Sequence, residues 1–242
     1  MSTPERDGDA RPLPAAVLFD MDGLLVETES MWHEAEQDVA LSLGGTWTLQ
    51  DSADLVGGPL ERAVDLIAER TGTELPAQEI MARLLTTMEE RLRAEPVPWR
   101  PGAPELLAAL EAAGVPMALV SASWRILVDA VHDTVLHELG HEFFAATIAG
   151  DDLERTKPHP DPYLKAAEVI GVDPARCIVL EDSHTGSRAG LAAGAYVIVI
   201  PTVAGIEPER GLHVVSSLHD LTPDLLGVWS QDWSTNGDVI HS

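Results

Sequence analysis

The sequence predicts an α/β protein: a doubly wound parallel sheet with an all-helical unit inserted after its first strand. Three observations predict it. Short apolar runs recur at residues 15–19, 117–120, 147–149, 177–180 and 196–200, and such runs mark strands buried on both faces of a sheet. Between the later runs lie helical patterns that close on glycine, at 104–113 before Gly114, 160–170 before Gly171 and 184–193 before Gly194. Glycine suits the left-handed residue that ends a helix. The stretch 29–97 breaks this alternation and reads as helices only. Strands alternating with helices imply a parallel sheet covered on both faces, with ligands gathering beyond the carboxyl ends of the strands. The expected organisation is a core of residues 1–28 and 98–242 with a helical cap at 29–97.

Residues 1 to about 14 form a polar lead, expected to be disordered. The first strand then runs into Asp20-Met21-Asp22-Gly23. Two carboxylates two positions apart at a strand end point the same way, and Gly23 lets the chain turn sharply. Like charges held that close call for a cation or a shared proton. Phosphoryl transfer uses such a pair: one carboxylate can attack phosphorus, and the other can protonate the leaving oxygen and later deprotonate water.

In the helical insert, Met81, Leu84, Leu85, Met88 and Leu92 are spaced by three or four, as one apolar helix face requires. Pro59 is placed to open another helix beside Gly57-Gly58. Pro96-Val97-Pro98 closes the insert as a stiff linker.

After the second strand comes Val120-Ser121-Ala122-Ser123. A hydroxyl and backbone N–H groups ahead of a helix suit either a helix cap or an anion site. The following helix carries an apolar stripe of Val128, Val131, Val135 and Leu139, and then His137-Glu138-Leu139-Gly140-His141. That last string matches the HExxH pattern of zinc metallopeptidases. It equally fits a helix end capped by Gly140, and the longer metallopeptidase pattern fails because Phe144 and Thr147 stand where glycine and a third histidine belong.

The chain holds two lysines, Lys157 and Lys165. Lys165 reads as a solvated helix residue. Lys157 sits in the proline-stiffened string Lys157-Pro158-His159-Pro160-Asp161-Pro162-Tyr163, where a surface lysine and a pre-positioned phosphate ligand are both open readings. Glu181-Asp182-Ser183 follows the fourth strand. Adjacent acids there suit a helix N-terminus or a hard cation such as Mg²⁺, which needs few carboxylates. The last 25 or so residues, with Asp220, Asp224, Asp232 and scattered tryptophans, read as a loosely attached tail.

The bulk properties bound the function. With 45% hydrophobic and 23% charged residues over 242 positions, the chain is an ordinary globular protein able to bury a sizeable core. A net charge of −25 argues against binding nucleic acid or anionic membranes. It also means that an anionic substrate needs local positive charge. The one cysteine, Cys177, lies in a core strand and can form no disulfide within the chain. No apolar stretch is long enough to span a membrane, and the start of the chain lacks the apolar region of a signal peptide. A cytoplasmic enzyme is the expectation. Oligomeric state is not legible.

The four blocks DMDGLL at 20–25, VSAS at 120–123, KPHPDPY at 157–163 and EDSHTG at 181–186 together resemble the haloacid dehalogenase (HAD) superfamily, in its order and over roughly residues 15 to 205. A helical insert just after the first block is similar to the β-phosphoglucomutase-like subgroup. The resemblance implies a Rossmann-like core, an aspartyl-phosphate intermediate and Mg²⁺. It implies Asp20 as nucleophile and Asp22 as general acid and base. It also implies that Ser121, the Ala122 backbone and Lys157 hold the phosphoryl oxygens. Asp20, the Asp22 carbonyl, Glu181 and Asp182 would organise the metal, directly or through water.

Departures from the subgroup narrow the activity. Mutases of this kind carry an early cap histidine and a basic residue after the glycine loop. Here Trp32 takes the first position, with His33 beside it, and the loop reads Gly57-Gly58-Pro59-Leu60-Glu61-Arg62. Phosphonate-cleaving relatives use a cap lysine, and residues 29–97 contain none. True dehalogenases lack the second aspartate. The expectation is a Mg²⁺-dependent phosphatase acting on a small phosphorylated metabolite, a sugar or polyol phosphate, with a phosphosugar mutase as the alternative. Glu29, Trp32, Gly57, Gly58 and Arg62 are the expected substrate-selecting residues.

Overall fold

The computed structural model describes residues 12–55, 58–96, 98–202 and 204–236. Most of the polar lead, the loop residue Gly57 and the linker residue Val97 lie outside the described residues. In chain order, β1 (Ala16–Phe19) is followed by α1 (Glu29–Ser42), α2 (Leu49–Ala53), α3 (Leu60–Thr71) and α4 (Ala77–Ala94). Then come α5 (Ala103–Ala112), β2 (Met117–Val120), α6 (Arg125–Leu139), β3 (Phe144–Ile148), α7 (Asp161–Ile170) and β4 (Cys177–Glu181). The chain continues with α8 (His184–Ala192), β5 (Tyr196–Val199), β6 (Leu212–Val214) and α9 (Pro223–Asn236).

The six strands form one parallel sheet in the order β3-β2-β1-β4-β5-β6. The chain therefore builds outward from β1 to one edge, then returns to β4 and builds to the other. The reversal lies between β1 and β4, where a crevice opens at the carboxyl ends of a doubly wound sheet. Alternate residues of each strand serve opposite faces. Val17 and Phe19 join α5, α6, α9 and the inserted helices in one apolar cluster, whereas Ala16 and Leu18 pack with Tyr163, Ala166 and Ala167 of α7 and Ala189 of α8 in the other.

The insert packs on α4, whose Leu84, Met88 and Leu92 are buried as the spacing predicts, while Met81 and Leu85 are partly buried at the margin. The two chain segments that enter and leave it are tied together. Glu27 donates its N–H to Pro98 O at 2.8 Å, Arg100 N–H meets Leu25 O at 3.0 Å, and the Arg100 guanidinium pairs with Glu27 at 2.9 Å. From α4, Arg93 reaches Asp133 of α6 at 2.7 Å.

Three expectations are corrected. The third strand is Phe144–Ile148 rather than 147–149. It is an edge strand whose middle residues are partly exposed, so its apolar signal is broken. A sixth strand, Leu212–Val214, closes the other edge and is too short to stand out. The supposed loose tail is mostly the helix α9: Leu226 and Trp229 are buried, Ser230 donates to Arg176 O at 2.9 Å, and Trp233 Nε1 donates to Gly194 O at 3.0 Å. Leu226, Trp229 and Trp233 share one face at helical spacing, and the polar Ser230, Gln231 and Asp232 between them mask that stripe in the sequence.

Candidate active site

Three neighbouring strands deliver the candidate residues to one place. Asp20 follows β1, Ser121 follows β2 and Glu181 ends β4, and these strands lie side by side as β2-β1-β4. Asp20 is anchored by its N–H to Leu180 O at 3.0 Å. Oxygens of Asp20, Glu181 and Asp182 all lie within 4.8 Å of one another, and all three residues are buried. Among the described residues this is the one cluster of three His, Cys, Asp or Glu side chains able to hold a metal. Three buried carboxylates on oxygen-only ligands fit a hard divalent cation.

Lys157 is sunk beside them. Its Nζ donates to Asp20 Oδ1 at 2.5 Å, Glu181 Oε1 at 2.6 Å and the Val120 carbonyl at 2.8 Å. Burial alone would lower the ammonium pKa, but Asp20 and Glu181 outweigh it and hold Lys157 above the usual lysine range. One ammonium does not balance three carboxylates. Burial first, then Glu181, pushes Asp20 well above the ordinary carboxylate range against the pull of Lys157. Burial raises Asp182 to about 6, although Thr202 Oγ1 donates to its Oδ2 at 2.6 Å. The excess negative charge is what a divalent cation relieves.

Asp22 is set apart from this cluster. Its side chain receives Thr28 Oγ1 at 2.7 Å on one oxygen and Ser123 Oγ at 2.7 Å on the other, with Ser121 Oγ at 3.4 Å. Both carboxylate oxygens of Asp22 are thus held by hydroxyl donors outside the cluster. The turn that separates the two aspartates needs Gly23, which has φ +82°; a Cβ there would run into the Asp182 carboxylate. Ser121 is buried, and its Oγ accepts the Ser123 N–H at 2.9 Å; Ala122 lies exposed between them.

The residues expected to select substrate are more scattered. Glu29 is exposed at the start of α1, and Trp32 is partly buried against the apolar cluster. Gly58 donates its N–H to Leu55 O at 2.8 Å, and the exposed Arg62 lies over it, 3.6 Å from where a Gly58 Cβ would sit. Among the described residues no hydrogen bond or ion pair joins Glu29, Trp32, Gly58 or Arg62 to the carboxylate cluster.

The zinc reading of 137–141 fails on geometry. Helix α6 ends at Leu139 and Gly140 turns left-handed at φ +74°, so His141 lies beyond the helix and the two histidines share no helical face. Glu138 accepts Trp99 Nε1 at 2.7 Å, and His141 faces Glu111 at 3.9 Å.

Four partners escaped the sequence reading: Thr28, Ser123, Tyr163 and Thr202. Ser123 and Tyr163 stood within the quoted blocks, two positions from Ser121 and six from Lys157. Thr28 and Thr202 carry no local signal.

The chain is similar to several known proteins. The haloacid dehalogenase-like hydrolase family matches residues 14–194. Hexitol phosphatase B of Escherichia coli K12 is 34% identical over 222 residues, covering 88% of this chain and 96% of that protein. The bifunctional riboflavin kinase/FMN phosphatase of Arabidopsis thaliana is 30% identical over 226 residues, 92% of this chain; the chain spans 56% of the length of that protein. Among solved structures, a CbbY variant of Rhodobacter sphaeroides in complex with xylulose 1,5-bisphosphate superimposes with a TM-score of 0.73 at 27% identity, over 86% of this chain and 96% of that one.

Proposed function

Since the chain belongs to the haloacid dehalogenase-like hydrolases, we propose that it is a Mg²⁺-dependent phosphatase of a small sugar or polyol phosphate, working through an aspartyl-phosphate on Asp20. The observation that carries this reading is the division of labour between the two aspartates. Asp20 sits within the carboxylate cluster and against Lys157, while Asp22 is held away from it by Thr28 and Ser123.

In this reading an Asp20 oxygen attacks phosphorus as the bond to the leaving oxygen breaks. Asp22 gives its proton to that oxygen. Water then attacks the phosphorus of the acyl phosphate, Asp22 takes the water proton, and the bond to Asp20 breaks to release inorganic phosphate and restore both carboxyl groups. Ser121, the Ala122 N–H and Lys157 hold the phosphoryl oxygens, so the chemistry is positioning and charge stabilisation. Asp20, the Asp22 carbonyl, Glu181 and Asp182 would organise Mg²⁺. The metal supplies charge neutralisation that lets an anionic carboxylate approach an anionic phosphate. A cytoplasmic site of action goes with this reading.

The substrate class follows the Escherichia coli relative, named for hexitol phosphates. The deciding experiment is a screen of phosphorylated metabolites with Mg²⁺, reading free phosphate; hexitol and sugar monophosphates are expected as the best substrates. Activity should vanish with chelator and return with Mg²⁺. Ca²⁺ should inhibit, because its larger and more flexible shell misplaces the attacking oxygen. Recovery with Zn²⁺ but not Mg²⁺ would refute the metal assignment.

The mutase alternative needs a cationic grip on a second phosphate from the cap side. Residues 29–97 hold no lysine. Arg70, Arg83, Arg91 and Arg93 are committed to carboxylates, and Leu60 occupies the loop position where a basic group is wanted. The expected result is phosphate release without conversion of β-glucose 1-phosphate to glucose 6-phosphate, even with a priming bisphosphate present. Isomer formation faster than phosphate release in a coupled assay would reverse the choice and make Arg62 the distal ligand.

A further inference from the structure

Tyr163 lies in the first turn of α7, fully buried, and the reaction outlined above makes no use of it. Yet it touches both members of the central ion pair. Its hydroxyl donates to Glu181 Oε1 at 2.5 Å, the same oxygen that receives Lys157 Nζ at 2.6 Å. Its ring lies under that ammonium, with the Nζ 4.9 Å from the centroid, within the range of a cation–π contact.

The other Glu181 oxygen is also occupied, by Ser183 Oγ at 3.0 Å and the Asp182 N–H at 3.2 Å. A carboxylate offers about four acceptor sites, and five protein donors, the Ser183 N–H at 3.4 Å included, surround this one, so Glu181 would act on a metal through water. Gly186 packs so closely on this carboxylate that a Cβ would collide with it. Glu181 is thus held in one orientation. Lys157 is equally committed: its three N–H groups go to Asp20, Glu181 and Val120.

We infer that Tyr163 is a positioning residue, whose hydroxyl and ring together set where Glu181 places Lys157 relative to Asp20. The inference rests on the phosphatase reading for its kinetic consequence, though not for its binding one. Without the hydroxyl, Glu181 Oε1 has one donor fewer and competes harder for Lys157. The ammonium then moves off Asp20, and the carboxylate loses its fixed orientation toward the metal. Substrate recognition by the exposed part of the site is not touched. Loss of an outer partner of a metal ligand typically costs roughly 10–100-fold in metal affinity or activity.

The test is Tyr163→Phe, which keeps the ring and removes the hydroxyl. Tyr196→Phe is the control, because the Tyr196 hydroxyl is as buried but meets no hydrogen-bond partner among the described residues. Both variants and the unaltered protein are titrated with Mg²⁺ by calorimetry, at a temperature where melting curves show all three folded. They are then assayed for phosphate release across substrate concentration. Tyr163→Phe should bind Mg²⁺ about tenfold more weakly and lose about tenfold in kcat, with KM for the substrate within about twofold. Tyr196→Phe should match the unaltered protein in both. A Tyr163→Phe protein that melts lower but keeps Mg²⁺ affinity and kcat would overturn the inference and leave Tyr163 a core residue. Mg²⁺ affinity that falls equally in both variants would overturn it too. Absence of phosphate release from the unaltered protein would instead count against the phosphatase reading, while the calorimetry still decides the role of Tyr163.

Discussion

Asp20→Asn is expected to abolish turnover while leaving the protein folded. An amide oxygen is a poor nucleophile, and removing a covalent nucleophile can cost on the order of 10⁶-fold in kcat. Stability should move the other way. Asp20 lies buried among Glu181 and Asp182, and its carboxyl is held well above the ordinary range by burial and by Glu181. A carboxylate whose pKa is raised on folding is destabilising in its charged form at neutral pH. Replacing it with a neutral isostere relieves that, while Lys157 keeps Glu181 and the Val120 carbonyl as partners. The melting temperature without metal should therefore equal or exceed that of the unaltered protein, and Mg²⁺ should stabilise the variant less. Substantial phosphatase activity in purified Asp20→Asn would contradict the assignment.

Lys157→Ala is expected to damage both activity and stability. Lys157 is the one lysine at the site of a protein whose net charge is −25. Losing a preorganised charge-stabilising donor costs about 3–4 kcal/mol of transition-state stabilisation, or roughly 10²–10³-fold in rate. Here the loss also leaves three buried carboxylates without their counter-charge, and breaking a buried pair typically costs about 3–5 kcal/mol. The metal-free variant should melt well below the unaltered protein and recover part of the difference with Mg²⁺. Near-normal kcat/KM would mean that another cation holds the phosphate. Both substitutions thus lower catalysis, but only Lys157→Ala lowers stability. General unfolding cannot produce that pattern.

The interior of the fold was legible because β1, β2, β4 and β5 are buried on both faces and read as unbroken apolar runs. The edges were not. β3 has partly exposed middle residues, and β6 has only three residues. The C-terminal helix was missed because acids and tryptophans together read as a solvated tail, until Leu226 and Trp229 are seen packed on the sheet side of α9.

The convergence of the candidate residues was legible for a related reason. Asp20, Ser121 and Glu181 sit where strands end, so topology alone converges them. What strand ends cannot convey is where a side chain turns. Nothing in the spacing of Asp20 and Asp22 says that one carboxylate joins the cluster and the other goes to Thr28 and Ser123. Tyr163 and Thr202 likewise act through contacts between elements far apart in the chain. Trp32, Gly58 and Arg62 remain the least constrained by sequence. Any part they play in selecting substrate would depend on the substrate, and no pattern of residue types encodes that.

The most direct measurement is of the phosphoryl group itself. The unaltered protein is mixed with Mg²⁺ and its best phosphorylated substrate, quenched in acid during turnover, digested and analysed by mass spectrometry. A phosphoryl group on Asp20, absent from the Asp20→Asn protein treated in the same way, is the predicted result. Release of phosphate with the label on another residue, or an equal label in Asp20→Asn, would contradict the assignment of Asp20 as the nucleophile.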